Sequence, residues 1–81
     1  MTQAEKHELI NKFKTWKDAV QDFEDHPRGS VKEQAAQEAL SDKAFWDLVD
    51  SSSAYLGYDT FPVISDLSSD ASEQEFIQAL L

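Results

Sequence analysis

The chain has 81 residues, no cysteine, and 16 acidic against seven basic side chains for a net charge of −9. A chain of this length makes one domain whose core supplies only about 3 to 5 kcal/mol of net stability, and without thiols neither a disulfide framework nor a thiolate metal site can staple it. The polar start MTQAEKHELI lacks the apolar run of a secretion signal, and no stretch approaches the roughly 20 apolar residues that span a bilayer; the expectation is a single acidic domain over 1–81, cytoplasmic and off the membrane.

The first predicted element is the most regular. Leu9, Phe13, Trp16, Val20 and Phe23 recur at spacings of four, three, four and three, which forms one stripe along a helix. Thr2 followed by Glu5 fits a capping box, so this helix should start near Gln3. Burying each large apolar side chain is worth about 1.5 to 3 kcal/mol, so the rest of the chain should fold back onto the stripe. Lys6, Glu8, Lys12, Lys14, Lys17 and Asp18 make a solvated opposite face.

Asp22, Glu24 and Asp25 crowd the last turn, where the helix dipole already leaves partial negative charge. Either the N-terminus of the next helix compensates them, or this acidic end is kept for a cationic partner. His26, Pro27, Arg28 and Gly29 read as a turn that stops the helix at about Asp25.

Ser30 with Glu33 repeats the capping-box spacing and predicts a second helix through Val31, Ala35, Ala36, Ala39 and Leu40, whose small side chains permit close packing. Ser41 is a plausible N-cap for a third helix carrying Phe45, Trp46, Leu48, Val49, Tyr55 and Leu56 up to Gly57. The run Ser51 to Ser53 weakens its middle and permits a break, because serine hydroxyls compete for backbone bonds.

Residues 58–65, YDTFPVIS, change the pattern to aromatic and β-branched around Pro62. Proline excludes a central strand and a lone strand has nothing to pair with, so the segment reads as an extended connection pinned in the core by Phe61, Val63 and Ile64. Edge pairing with a second chain is the alternative. Ser68, Ser69, Asp70 and Ser72 offer N-caps for a last helix holding Phe76, Ile77, Leu80 and Leu81. The fold expected is all-α, a compact bundle of about four helices with the long first helix central and the last two closing over it.

Catalytic constellations fail on residue supply. No cysteine nucleophile exists, and with Gly29 and Gly57 as the only glycines neither a nucleophile elbow nor a phosphate loop can form. His7 and His26 lie 19 residues apart and read as a solvent-facing and a turn residue, so no zinc site is expected. Asp66 and Asp70 lack the spacing of a calcium loop. The expectation is a protein with no cofactor, no metal and no enzymatic activity.

What remains is charge. Residues 1–43 carry nine acids and seven bases, whereas residues 44–81 carry seven acids and no base. Such a surface repels phosphate backbones and anionic lipid, so the expected partner is a protein with a basic surface, with no direct nucleic-acid or membrane contact. Asp47 and Asp50 sit one turn apart, and Tyr55, Tyr58 and Asp59 follow at the helix end; tyrosines suit interfaces because each joins a rigid apolar body to a polar tip. They read either as part of a docking face or as half-buried core edges. The candidate partner-binding residues are therefore Asp47, Asp50, Tyr55, Tyr58 and Asp59, with Asp22, Glu24 and Asp25 at the end of the first helix.

The function expected is a small acidic binding module, an inhibitor or regulator that masks a basic, nucleic-acid-binding type of surface on its partner. Bacterial immunity factors and phage-encoded antagonists of nucleic-acid enzymes work this way, some by imitating DNA. The alternative is an accessory subunit that docks through its apolar stripe and is acidic only for solubility.

Overall fold

Two long antiparallel helices set the shape, and two short ones close one end of the pair. The computed structural model describes residues 1–27 and 29–81. Helix α1 spans Gln3–Asp25, α2 spans Val31–Leu56, α3 spans Phe61–Ser65 and α4 spans Glu73–Leu80. At 1.5 Å per residue the 26-residue α2 is about 39 Å long, which accounts for most of the 42 Å long axis of a molecule 22 and 20 Å across. The fold is the all-α arrangement of four helices expected, with a long N-terminal helix.

α1 begins and ends where its local chemistry dictates. The Thr2 hydroxyl accepts from the Glu5 N–H while the Glu5 carboxylate accepts from the Thr2 N–H, closing the capping box. The Thr2 backbone N–H, and after it the Thr2 side chain, hold the Glu5 carboxyl below the usual carboxylate range. At the far end the His26 N–H donates to the Asp22 carbonyl at 2.9 Å. Pro27 and Gly29 lie outside both helices, as the turn requires, and Arg28 of that turn lies outside the described residues.

α2 corrects the sequence reading. Two helices meeting at Ser41 were expected, but the structure has one, because no glycine or proline interrupts residues 31–56. Ser30 is its N-cap, accepting from the Glu33 N–H at 3.1 Å. Ser41 instead stays helical and donates its hydroxyl to the Glu38 carbonyl at 2.9 Å. A serine signals a helix start only where the chain has a reason to leave the helix.

The serine run Ser51–Ser53 does not break α2 either. Ser52 is wholly buried and donates to the Leu48 carbonyl at 2.8 Å, while its oxygen lies 2.6 Å from the Thr60 hydroxyl. Ser53 accepts from the Thr60 N–H at 3.0 Å, and the Thr60 hydroxyl reaches the Val49 carbonyl at 3.1 Å. Together these residues form a buried polar clasp that folds the chain back onto the last turns of α2. Gly57 makes the corner with φ of 78°, the left-handed conformation a side chain disfavours, and its N–H closes α2 on the Ser53 carbonyl.

Residues 61–65 are helical rather than extended. Pro62 falls in the first turn of α3, where its missing N–H costs nothing because first-turn donors have no intrahelical acceptor. The Asp59 carboxylate takes the Phe61 N–H at 3.0 Å. Ile64 is fully buried and Val63 half-buried as expected, but Phe61 faces outward with 39% exposure. For α4, Ser72 is the N-cap among the candidates, accepting from the Glu75 N–H at 3.1 Å; Asp70 sits in the preceding turn. Phe76, Ile77 and Leu80 are buried, whereas Leu81 lies beyond the helix and is exposed.

The core is confined to one end. Leu9 and Phe13 of α1, Leu48 and Val49 of α2, Ile64, Ala71, and Phe76, Ile77 and Leu80 of α4 make up its buried part. Phe13 and Phe76 stack at 4.4 Å with planes 5° apart. α4 and the second half of α2, the segment expected as a separate third helix, both lie on α1 as expected, whereas the short α3 packs on α2 and α4. Lys14 pairs with Glu73 at 3.0 Å, and the Lys17 ammonium sits over the Phe13 ring while donating to the Ala71 carbonyl.

Among the described residues, none from 17 to 44 belongs to this core. That part of the α1–α2 pair is a two-layer arm. Its register is pinned by buried Gln37, whose amide donates to Asp22 at 3.2 Å and to the His26 carbonyl at 3.1 Å. The apolar stripe of α1 fades accordingly: Leu9 and Phe13 are fully enclosed, while Trp16, Val20 and Phe23 are half-buried.

Candidate protein-binding surface

The predicted partner-binding residues fall into two groups at different levels of the molecule. Asp22, Glu24 and Asp25 lie at the end of the arm, beside Gln37 and the N-terminus of α2. The antiparallel pairing sets the negative end of α1 against the positive end of α2, and Asp22 receives an amide besides. Asp47, Asp50, Tyr55, Tyr58 and Asp59 lie at the core end. From Gln37 to Asp47 is ten residues of α2, about 15 Å along the axis.

Within the second group the structure gives each side chain its own surroundings. Asp47 faces α1, where its carboxylate lies 2.7 Å from the Lys12 ammonium. Tyr55 packs against the core and donates its hydroxyl to Glu8. That bond, with burial and the Glu8 and Glu5 charges acting in the same direction, raises the Tyr55 phenol above its ordinary pKa. Tyr58 is 42% exposed, and its hydroxyl donates to the Leu80 carbonyl at 2.5 Å, tying down the end of α4. Asp50 and Asp59 are exposed, Asp59 while capping α3.

What the sequence reading missed is an aromatic surface between these acids. Trp46, which the sequence shows only as one of the apolar positions of its helix, is 51% exposed and stacks on Phe61 at 5.3 Å with planes 6° apart. The pair is the outer end of an aromatic chain. Phe76 stacks on Phe13; Phe13 meets Trp16 at 5.9 Å, Trp16 meets Phe45 at 6.0 Å, and Phe45 stands edge-on to both Trp46 and Phe61 at 5.4 and 6.0 Å. The signal was present in the dipeptide Phe45-Trp46: neighbours on a helix point about 100° apart, so a stripe that takes one turns the other toward its flank.

Trp46 is flanked by acids on its own helix. Asp42 and Asp50 stand at i−4 and i+4, one turn to either side, and both are exposed. Asp59 accepts the backbone N–H of Phe61, the other residue of the pair. Lys43, the nearest cation in sequence, lines a groove with Thr15, Leu40, Ala44 and Asp47 and so turns toward α1. The surface is an apolar plate with carboxylates at its margins.

Among the described residues no group of three or more His, Cys, Asp or Glu is placed to hold a metal ion, and His7 and His26 are exposed near opposite ends of α1. Among the described residues no helix is long and apolar enough to cross a membrane. Comparison of the chain with protein families, curated proteins and solved structures finds no match in any of the three.

Proposed function

We propose that this chain is a small acidic protein-binding module, an inhibitor or regulator that occupies a basic surface of another protein inside the cell. The observation that carries the reading is how its cations are used. Among the described residues Lys12 pairs with Asp47, Lys14 pairs with Glu73, and Lys17 caps the Ala71 carbonyl, all within the fold. Among the described residues Asp42, Asp50, Asp59, Asp66 and Asp70 form no ion pair. Exposed carboxylates without a counter-charge complement a Lys- and Arg-rich surface, steer its approach and reject acidic competitors. A surface of that kind that normally handles nucleic acid is the natural target. The proposal is for binding, not catalysis.

A second reading is favoured by a separate observation. Val31 and Leu40 on the arm are 85% and 65% exposed, and Val20 and Phe23 are only half-buried, so the arm offers apolar area to an accessory docking partner. Salt separates the two. Capture of proteins from a lysate by the immobilised chain, washed in parallel at about 50 and about 500 mM salt, should hold a basic protein in the first and release it in the second. A partner that survives both washes would transfer the function to the arm.

A further inference from the structure

Resting on the reading of a basic partner, we propose that the Trp46–Phe61 plate is the seat of an arginine side chain from that partner. Its guanidinium would stack on the aromatic pair, with Asp42 and Asp50 receiving its N–H groups. Three features converge on this chemistry. The plate is solvent-exposed at 51% for Trp46 and 39% for Phe61, although both rings belong to an aromatic chain that continues into the core. The margins are anionic at both ends of Trp46, one helical turn away in each direction, where the arms of a stacked group can reach. Among the described residues Lys12, Lys14 and Lys17 are engaged elsewhere, and Lys43, the cation nearest Trp46 in sequence, faces the α1 side.

The same features select arginine over lysine. A guanidinium is planar, weakly hydrated and carries five donors in a fork, so it stacks on an indole while bonding carboxylates in its own plane. An ammonium is a compact, strongly hydrated point charge that gains from the acids and little from the plate. A purely apolar partner would bring no counter-charge to Asp42 and Asp50 and would desolvate them.

The test uses the intact chain and two probes, blocked hexa-arginine and hexa-lysine peptides. The protein has two tryptophans and hence two indole N–H resonances, and Trp46→Phe assigns them. In about 150 mM salt, hexa-arginine should shift the Trp46 indole and leave that of Trp16 in place. It should also bind about fivefold more tightly than hexa-lysine, the size of an exposed cation–π contribution. Trp46→Leu should abolish that preference while charge-led binding of both peptides persists; Asp42→Asn with Asp50→Asn should weaken both. Equal affinity for the two peptides, or shifts confined to Asp22–Asp25 with Trp46 unmoved, would overturn the seat while leaving the acidic-binder reading standing. Absence of binding by either peptide at about 50 mM salt would overturn both. The titration of the unaltered protein stands even if a variant fails to fold.

Discussion

At the scale of single residues, the buried hydroxyls are the most consequential. Thr60 is fully enclosed and its hydroxyl serves Ser52, Ser53 and the Val49 carbonyl together. Thr60→Val keeps the shape and removes the hydroxyl, leaving Ser52 with a poorer buried network. The expected cost is about 1 to 3 kcal/mol in urea unfolding, the penalty of unsatisfied buried polar groups; a change below about 0.5 kcal/mol would mean the clasp contributes packing only. Tyr55 gives a second check. Its phenol is raised in the folded state by the bond to Glu8, so the folded chain holds that proton more firmly than the unfolded one. The associated stability is complete below the unfolded phenol pKa of about 10 and is lost as pH rises through the folded value. Phenolate absorbance should therefore show a late-ionising tyrosine that disappears in Tyr55→Phe and moves toward the ordinary range in Glu8→Gln.

At the scale of elements, the contrast is between the core end and the arm. Residues 17–44 bury little apolar area, so their amides should exchange with solvent faster than those of residues 9–16 and 45–56, and hydrogen exchange should show the two long helices as each having a slow half and a fast half. Uniform protection along α2 would contradict that division. Gly57→Ala tests the corner between α2 and α3: the added methyl meets nothing within 4 Å, so the expected loss of about 1 to 2 kcal/mol comes from the left-handed backbone alone. These same elements show what was legible in the sequence. The caps at Thr2 and Ser30 and the stop at Gly57 are local chemistry, fixed by residues three or four apart, and they read correctly, whereas for α4 the sequence offered four candidate caps of which Ser72 is the one used. Ser41 misled because its side chain suits a helix start equally well as a helix interior, and with no glycine or proline in residues 31–56 the chain stays helical through it. Pro62 misled in the opposite sense, since the same residue that breaks a strand fits the first turn of a helix. The acids of the candidate surface were visible as charge; the Trp46–Phe61 plate was not, because it joins residues whose proximity depends on the corner at Gly57 and the Thr60 clasp.

At the scale of the whole molecule, charge and shape act together. Lys12, Lys14 and Lys17 of α1 are engaged within the fold, which leaves the unpaired acids of the later chain as its outward field around an aromatic plate. The central claim is that this field drives association with a basic protein. The most direct measurement is the dissociation constant of the captured partner from about 50 to about 500 mM salt, for the unaltered chain and for Asp42→Asn with Asp50→Asn. The result expected is affinity that falls steeply with salt, together with a weaker and flatter dependence in the variant. Affinity that is independent of salt and identical in the two proteins would contradict the account and assign binding to the apolar arm.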